Sequence, residues 1–325
     1  MKQQQFESQY QATWQQFEEM LDELESSKKI SRSMASFPAL YRAVCSHYAI
    51  ANERHYSSAL CGVLHSLAVR GQRQLYRHRG HWLWRFAHFL LFGFPGVVWR
   101  HRGVVLLALG LFWLPAFAMG LAAYWFPDSI YMITDGYNVA QFETMYDPGN
   151  EHLGRRENRA AESNFAMFGY YIMNNVGIGF RTFAGGMLLG LGSIFFLVFN
   201  GLQIGGVAGY LTWRGYIETF WGFVAGHSAF ELTAICICGA AGLLLGKALW
   251  MPGRLSRMQS LRAAAKDAVQ LLLGGMLLLV MAAFVEAYWS PLNSVPAFVK
   301  YVVGASLWLL LILYFVVAGG WRESR

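Results

Sequence analysis

The chain has 325 residues, of which 55% are hydrophobic and only 14% charged, and its formal net charge is +7. Soluble domains carry about 25% charged residues, so this chain has too little charge to cover a water-exposed surface of the expected size. Its 24 Phe, 16 Tyr and 12 Trp exclude a disordered, collagen-like or disulfide-scaffold chain. The composition therefore predicts an integral membrane protein.

The first 80 residues have a polar sequence with helical periodicity. Aromatic and leucine residues recur at helical spacing between Phe6 and Leu24, with acidic residues between them, which predicts an amphipathic helix. A loop over 26–38 and a second helical region over 39–76, broken near Tyr56, are expected to follow. We predict a small helical cytoplasmic domain over residues 1–80.

Arginine and histidine alternate with tryptophan and phenylalanine just before the first apolar run. Between Arg54 and Arg102 the sequence contains eight arginines and no acidic residue. This pattern occurs in nucleic-acid-binding segments, and also in helices that lie on a membrane surface with their arginines facing anionic lipid. Because a spanning helix begins at Gly103, we interpret residues 81–102 as a membrane-surface helix and expect no nucleic-acid partner.

Residues 103–126 are 24 consecutive residues without a charge, and about 20 suffice to cross the hydrocarbon core of a bilayer. Arginines precede this run, and seven acidic residues lie within 127–165. The positive-inside rule therefore predicts that the N-terminal region is cytoplasmic and that 127–165 is an acidic external loop. The basic C-terminal tail is predicted to be cytoplasmic as well.

The transmembrane domain is predicted over residues 103–321, as an all-α polytopic bundle with about six crossings. These crossings are expected near 103–126, 172–198, 202–215, 218–248, 268–289 and 297–319. Residues 170–212 form one apolar stretch. A single helix over it would be about 64 Å long, twice the thickness of the membrane core. We therefore divide the stretch at Asn200–Gly201 into the second and third crossings. The third crossing is short, so five crossings plus a re-entrant segment is the alternative.

Glycines recur at four-residue spacing in the middle crossings. They are Gly186 and Gly190, Gly201, Gly205 and Gly209, Gly222 and Gly226, and Gly242 and Gly246. Small residues at this spacing let helix backbones approach closely in lipid. They predict either packing within the chain or a homodimer through the glycine-rich crossings, and both interpretations stay open.

Few polar side chains lie inside the predicted crossings. An ionisable group at the bilayer centre costs on the order of 2.5–3.5 kcal/mol, so such groups need partners and often mark function. His227 and Glu231 are four residues apart and share one face of a helix, and Glu286 lies near the outer end of its crossing. The predicted intramembrane binding cluster comprises Asn174, Asn175, Arg181, Asn200, His227, Glu231 and Glu286.

The chemistry of this cluster has three interpretations. His227 and Glu231 suit a structural helix clamp, or a proton relay or transport pathway. Together with Glu286 they would supply three ligands to a metal ion such as zinc. No HExxH motif, nucleophile triad or phosphate-binding loop occurs in the sequence, so no catalytic residue is assigned. A divalent metal ion is a candidate cofactor, with these three residues as its candidate ligands.

Several segments resemble the stage II sporulation protein M family of bacterial integral membrane proteins. They lie within roughly residues 38–291 and include NNVGIGFRTFAGGMLLGLGS (174–193), FNGLQIGG (199–206), GHSAFELTAICICGAAGLLLGKALWMPG (226–253) and AFVEAYWSP (283–291). The polar residues of the predicted cluster stand within these segments. The resemblance implies a multi-pass protein of the bacterial cytoplasmic (inner) membrane.

The resemblance also implies a function and partners. In spore-forming bacteria the namesake of the family is a membrane scaffold for peptidoglycan-degrading proteins. Longer members are often encoded beside MoxR-type AAA ATPases and RDD-type membrane proteins, which are therefore expected partners besides the lipid bilayer. We accordingly expect an inner-membrane scaffold that organises partner proteins. The alternatives are a transporter or permease-like subunit that uses the polar cluster, and an intramembrane metal-dependent hydrolase.

Overall fold

The computed structural model describes residues 2–26, 36–77, 82–150, 161–292 and 294–320. Within these ranges the chain contains no strand, and five of its helices are long and apolar enough to cross a membrane. The protein is therefore an all-α polytopic membrane protein, as the composition predicts. The α-helices of the described residues are α1 (Gln3–Ser26), α2 (Phe37–Glu53), α3 (Ser58–Arg77), α4 (Trp82–His88), α5 (Phe94–Arg100), α6 (Arg102–Trp125), α7 (Gly136–Tyr146), α8 (Ala161–Ala184), α9 (Leu191–Trp213), α10 (Ile217–Trp250), α11 (Arg257–Tyr288) and α12 (Ala297–Leu313).

The chain divides into two compact units, residues 1–86 and 87–325. In the first unit α1, α2 and α3 pack around a core of their own. The expected helix break near Tyr56 is confirmed, since α2 ends at Glu53 and α3 begins at Ser58. Most of the predicted loop 26–38 lies outside the described residues.

The core of the first unit contains an imidazole that accepts a hydrogen bond from an indole. Phe6, Trp14 and Phe17 form the buried face of α1, at the helical spacing that the sequence predicts. The Nε1–H group of Trp14 donates to Nδ1 of His47 in α2, at 3.0 Å. The aromatic packing of this unit therefore includes a titratable group.

Residues 82–100 form a broken helical segment. α4 continues through a π-helical turn over Phe89–Gly93 into α5. Trp82 and Trp84 are 64% and 68% exposed. Exposed tryptophans are typical of segments at the level of lipid headgroups. They agree with the predicted position of this segment on a membrane surface, which stays a prediction.

Six long helices of the second unit alternate in direction along the chain. α9 lies parallel to α6, because its Gly201 contacts Phe112 and its Gly209 contacts Gly120. α10 is the most enclosed of them and packs against α6, α8, α9, α11 and α12. α6, α9 and α11 finish at the same end of the unit. We call it the Trp125 end, after the last residue of α6.

The turn predicted at Asn200–Gly201 is wrong. α9 continues without interruption through these residues, and the chain instead reverses over 185–190, where Leu189 and Gly190 have φ values of 58° and 86°. Gly201 serves close packing, because a Cβ atom there would overlap the carbonyl oxygen of Phe112 in α6. The predicted crossings at 172–198 and 202–215 are therefore replaced by α8 and α9. α8 is not among the five helices that are long and apolar enough to span a membrane.

Residues 127–146 of the predicted external loop fold back against the bundle, and residues 161–165 of that loop belong to the beginning of α8. A 3₁₀ turn over Pro127–Met132 is followed by α7. The side-chain amide of Gln203 in α9 donates to the carbonyl oxygen of Ile133 at 3.0 Å. Gln203 lies at the level of residues 112–116, the middle of α6, because Gly201 and Gly205 on either side of it contact Phe112 and Ala116. Non-helical backbone is tolerated at such depth where it is buried in protein or lines a cavity.

The glycines at four-residue spacing contact the chain's own helices. The contacts that leave no room for a Cβ atom join Gly205 to Ala116, Gly209 to Gly120, Gly186 to Gly242, Gly246 to Gly190 and Gly226 to Trp289. These contacts account for packing within one chain. A homodimer stays a prediction, and it would need faces other than these.

Candidate functional site

Three of the predicted site residues meet in the interior of the second unit. One potential ligand atom each of His227, Glu231 and Glu286 lies within 4.8 Å of the other two. His227 and Glu231 are one helical turn apart in α10, and the neighbouring α11 brings Glu286 to the same level. Only 5% of His227 is exposed. A buried imidazole and two partly buried carboxylates therefore lie close together.

The ring of His227 is oriented by the segment that connects α11 to α12. Its Nδ1 atom lies 3.0 Å from the hydroxyl oxygen of Ser290, and its Nε2 atom lies 3.7 Å from a carboxylate oxygen of Glu231. The second distance is too long for a hydrogen bond. The carbonyl oxygen of Ser290 accepts a hydrogen bond of 2.8 Å from the buried ammonium group of Lys300. Polar contacts thus extend from α12 through Ser290 to His227.

Two asparagines of α8 continue these polar contacts on the other side. The amide of Asn175 donates to Oε2 of Glu286 at 3.3 Å, and the amide of Asn174 donates to Oδ1 of Asn175 at 3.0 Å. Asn175 is buried, whereas Asn174 lines the adjacent cavity. The two asparagines therefore have different contacts: Asn175 binds the carboxylate of Glu286, and Asn174 faces the cavity.

A cavity of about 280 Å³ lies beside the cluster. Its polar lining groups are Asn174, Gln203, His227, Ser228, Glu231 and Glu286. The remaining lining is largely aromatic and aliphatic. Along α10 the lining residues extend from Leu232 to Phe220, about 18 Å at the rise of an α-helix. Phe220 stands at the beginning of α10, so the cavity extends from the cluster toward the Trp125 end.

Arg181 and Asn200 are not part of this cluster. They line a neighbouring cavity of about 400 Å³, which shares Phe142, Asn174 and Gln203 with the first. The Nε–H group of Arg181 donates to the carbonyl of Gly177 in its own helix, at 3.1 Å. Six of the seven predicted site residues therefore line one or both of two adjoining cavities, and the seventh, Asn175, is buried behind Glu286.

α7 forms one wall of both cavities through Phe142. A carboxylate oxygen of Glu143 accepts a hydrogen bond of 2.7 Å from the hydroxyl of Tyr210 and lies 2.9 Å from Nε of Arg214. The hydroxyl of Thr219 donates to the carbonyl of Tyr146 at 2.6 Å. Side-chain contacts to both α9 and α10 thus attach this wall to the bundle.

Sequence reasoning missed two residues next to the cluster. Lys300 is the one charged residue of the apolar segment 297–313, and a lone lysine inside such a segment is a signal that could have identified it. Ser290 carries no comparable signal, because a serine beside a proline is ordinary in a loop. Cys236 and Cys238 are buried free cysteines within the core of the second unit.

The comparisons with known proteins cover both units. The model of stage II sporulation protein M matches residues 103–291, and the model of a domain of unknown function (DUF8413) matches residues 4–77. The first match begins later than the resemblance in the sequence, which starts near residue 38. The chain is also similar to an uncharacterized protein of Methanocaldococcus jannaschii, MJ0793, with 27% identity over 122 residues that cover 37% of this chain and 68% of that protein. No solved structure matches the chain significantly.

Proposed function

The chain belongs to the stage II sporulation protein M family, and from this premise we propose that its membrane bundle is a permease-like unit that binds a small cation. The observation that carries the proposal is the cavity that follows α10 from Phe220 to the two carboxylates Glu231 and Glu286. Two carboxylates in a low-dielectric interior repel each other and favour a positively charged occupant. The site is therefore suited to a cation rather than to an anion.

The alternative of a purely structural clamp has less support. A clamp requires His227 and Glu231 to hydrogen-bond directly, and their 3.7 Å separation is too long for that. A dry cluster would also be fully packed, whereas both residues face a cavity. The volume of about 280 Å³ suits an ion with bound water or a small organic cation, since drug-sized ligands occupy about 300–1,000 Å³.

The experiment that tests this proposal uses the purified full-length protein in liposomes. Uptake of Zn²⁺, Mn²⁺ and methylammonium is measured under an imposed gradient of each cation. We expect uptake of at least one cation, its loss in Glu231→Gln, and its retention in Glu218→Gln, which changes an exposed carboxylate of the same helix. Equal rates in protein-containing and empty liposomes for every cation would contradict a permease-like role.

We also propose that the protein lies in the bacterial inner membrane, with the first unit in the cytoplasm and the Trp125 end facing outward. The arginines that precede α6 and the acidic residues that follow it support this orientation. Single cysteines at Tyr137 and Gly253 test it, in a background with Cys45 and Cys61 replaced by serine. We expect an impermeant thiol reagent added to intact cells to label only position 137. Labelling at position 253 would contradict the proposed orientation.

A scaffold role has an independent observation in its favour. The first unit is compact, has its own core and matches a domain model of its own. We propose that this unit recruits cytoplasmic partners, with a MoxR-type AAA ATPase and an RDD-type membrane protein as candidates. Deletion of residues 1–80 is expected to abolish their co-purification, while His227→Ala leaves it intact. Unchanged co-purification after the deletion would contradict this role.

A further inference from the structure

We infer that the cation bound in this cavity is a divalent transition-metal ion of the zinc type. Its ligands would be Nε2 of His227 and one carboxylate oxygen each of Glu231 and Glu286. This inference rests on the function proposed above, because it names the cation for the same site. The evidence consists of the separations of the ligand atoms, the contacts that orient them and the composition of the ligand set.

The separations suit three atoms that share one ion. Zinc binds imidazole nitrogen at about 2.0–2.1 Å and carboxylate oxygen at about 2.0–2.2 Å, so two ligands in a tetrahedral arrangement lie roughly 3.3–3.5 Å apart. The observed 3.7 Å between His227 and Glu231 is close to this value. Since the third ligand atom, on Glu286, also lies within 4.8 Å of the others, small side-chain rotations would bring all three to bonding distance.

The groups that hold the ligands have the arrangement usual around bound metals. A ligating histidine uses one ring nitrogen for the metal and the other for a hydrogen bond that fixes the ring. His227 has this division, with Nδ1 against Ser290 and Nε2 directed at Glu231. Glu286 in turn accepts a hydrogen bond from Asn175. Two of the three ligands are therefore positioned by neighbouring polar side chains.

The ligand set selects the class of metal. Mg²⁺ and Ca²⁺ prefer six or more oxygen ligands, whereas imidazole combined with carboxylates suits Zn²⁺ and its neighbours. Three protein ligands leave a fourth position open, as in sites where the metal binds water or exchanges. That position would face the cavity, since His227, Glu231 and Glu286 all line it. A divalent ion also neutralises two carboxylates in a place where unpaired charge is costly.

The test is the binding of Zn²⁺ to the full-length protein in detergent, after removal of metal with a chelator. Bound zinc is measured by equilibrium dialysis and elemental analysis. We expect one zinc ion per chain, and at least a tenfold weaker affinity in His227→Gln, Glu231→Gln and Glu286→Gln. Glu218→Gln is the matched control and should bind like the unaltered protein, because Glu218 is exposed and lies away from the cavity lining.

Ser290→Ala separates a positioning role from a structural one. It should lower the zinc affinity about tenfold, with only a small fall in the melting temperature of the metal-free protein from the lost hydrogen bond to His227, and Ser290→Thr should restore the affinity. For any ligand variant that folds poorly, the readout is the zinc-induced rise in melting temperature, expected only in proteins with all three ligands. Absent zinc binding, or binding that survives all three ligand substitutions, would overturn the inference.

The outcomes for the metal and for the proposed function are distinguishable. Zinc bound at the site without cation uptake into liposomes would keep the metal site and reject the permease-like role. Uptake of methylammonium that depends on Glu231, without zinc binding, would keep the permease-like role and reject the metal site.

Discussion

Gly205 in α9 lies directly against the main-chain carbonyl oxygen of Ala116 in α6, so closely that a Cβ atom at position 205 would overlap that oxygen. Gly201 and Gly209, one turn away on either side, have the same relation to Phe112 and Gly120. α6 and α9 therefore form a tightly packed pair. The same helix contributes to both cavities, because Gln203 of α9 lies at the level of these contacts and lines both.

Substitution of Gly205 by leucine is expected to destabilise the bundle. The added side chain would force the two helices apart, and overpacking of a close contact costs about 1–3 kcal/mol. The measurement is the thermal unfolding of the full-length protein in detergent. Gly110→Leu in α6 is the matched control, because a Cβ atom at that position meets nothing within 4 Å. A melting temperature lowered equally by both substitutions would contradict this account.

Substitution of Lys300 by methionine is expected to weaken the connection between α11 and α12. The ammonium group of Lys300 donates to the carbonyl of Ser290, and the loss of a buried donor leaves that oxygen unpaired at a cost of about 1–3 kcal/mol. The melting temperature should fall, and the zinc affinity should fall with it because Ser290 orients His227. Lys247→Met removes an exposed lysine and should change neither quantity. Equal changes of the melting temperature in the two variants would contradict a stabilising role of the buried hydrogen bond of Lys300.

The stability of the first unit is expected to decrease as the pH falls below about 6.5. Burial lowers the pKa of His47 in the folded state, while an unfolded histidine titrates near pH 6.5. The unfolded chain therefore binds the proton more readily, so this contribution to stability is complete above pH 6.5 and is lost as the pH falls. Protonation also removes the acceptor for Trp14, since Nδ1 then carries hydrogen.

Hydrogen exchange of α1 and α2 in the full-length protein measures this effect, with rates corrected for the intrinsic dependence on pH. Protection should be lower at pH 5.5 than at pH 7.5 in the unaltered protein. His47→Gln should lose this difference, and His65→Gln, which changes an exposed histidine of α3, should keep it. An unchanged difference in His47→Gln would assign the effect to another group.

The parts of the fold that were predictable from the sequence are those set by local patterns. The uncharged run of 103–126 specifies α6 almost to the residue, because composition and length alone determine a spanning helix. The division of 170–212 was not predictable in this way. Asn-Gly is a turn signal in water-soluble chains, but in α9 the glycine at 201 serves a contact with Phe112 of α6, 89 positions away in the sequence. Only the tertiary structure distinguishes a glycine that turns the chain from one that packs it.

The site was predictable to a similar extent. Rare polar residues in apolar segments identified His227, Glu231 and Glu286, because the cost of burying them requires partners. The pairing of Asn175 with Glu286, 111 positions apart, depends on the packing of α8 against α11. The separation of Arg181 from the cluster follows from its position along α8, almost two turns beyond Asn174. Neither relation is encoded in local spacing.

Substitution of Glu143 by glutamine is expected to loosen the wall that α7 provides to both cavities. The carboxylate of Glu143 contacts Tyr210 and Arg214 and raises the pKa of that arginine, which lies just after α9. Glutamine keeps the size but loses the charge, so α7 should open more often and exchange its amide hydrogens faster while α10 is unaffected. Glu218→Gln, at an exposed carboxylate, should leave exchange in α7 unchanged.

Since Phe142 of α7 lines both cavities, faster opening of α7 in Glu143→Gln should also speed the release of bound zinc without altering the ligands. Faster exchange in α7 with an unchanged rate of zinc release would mean that the ion leaves by a route that α7 does not cover.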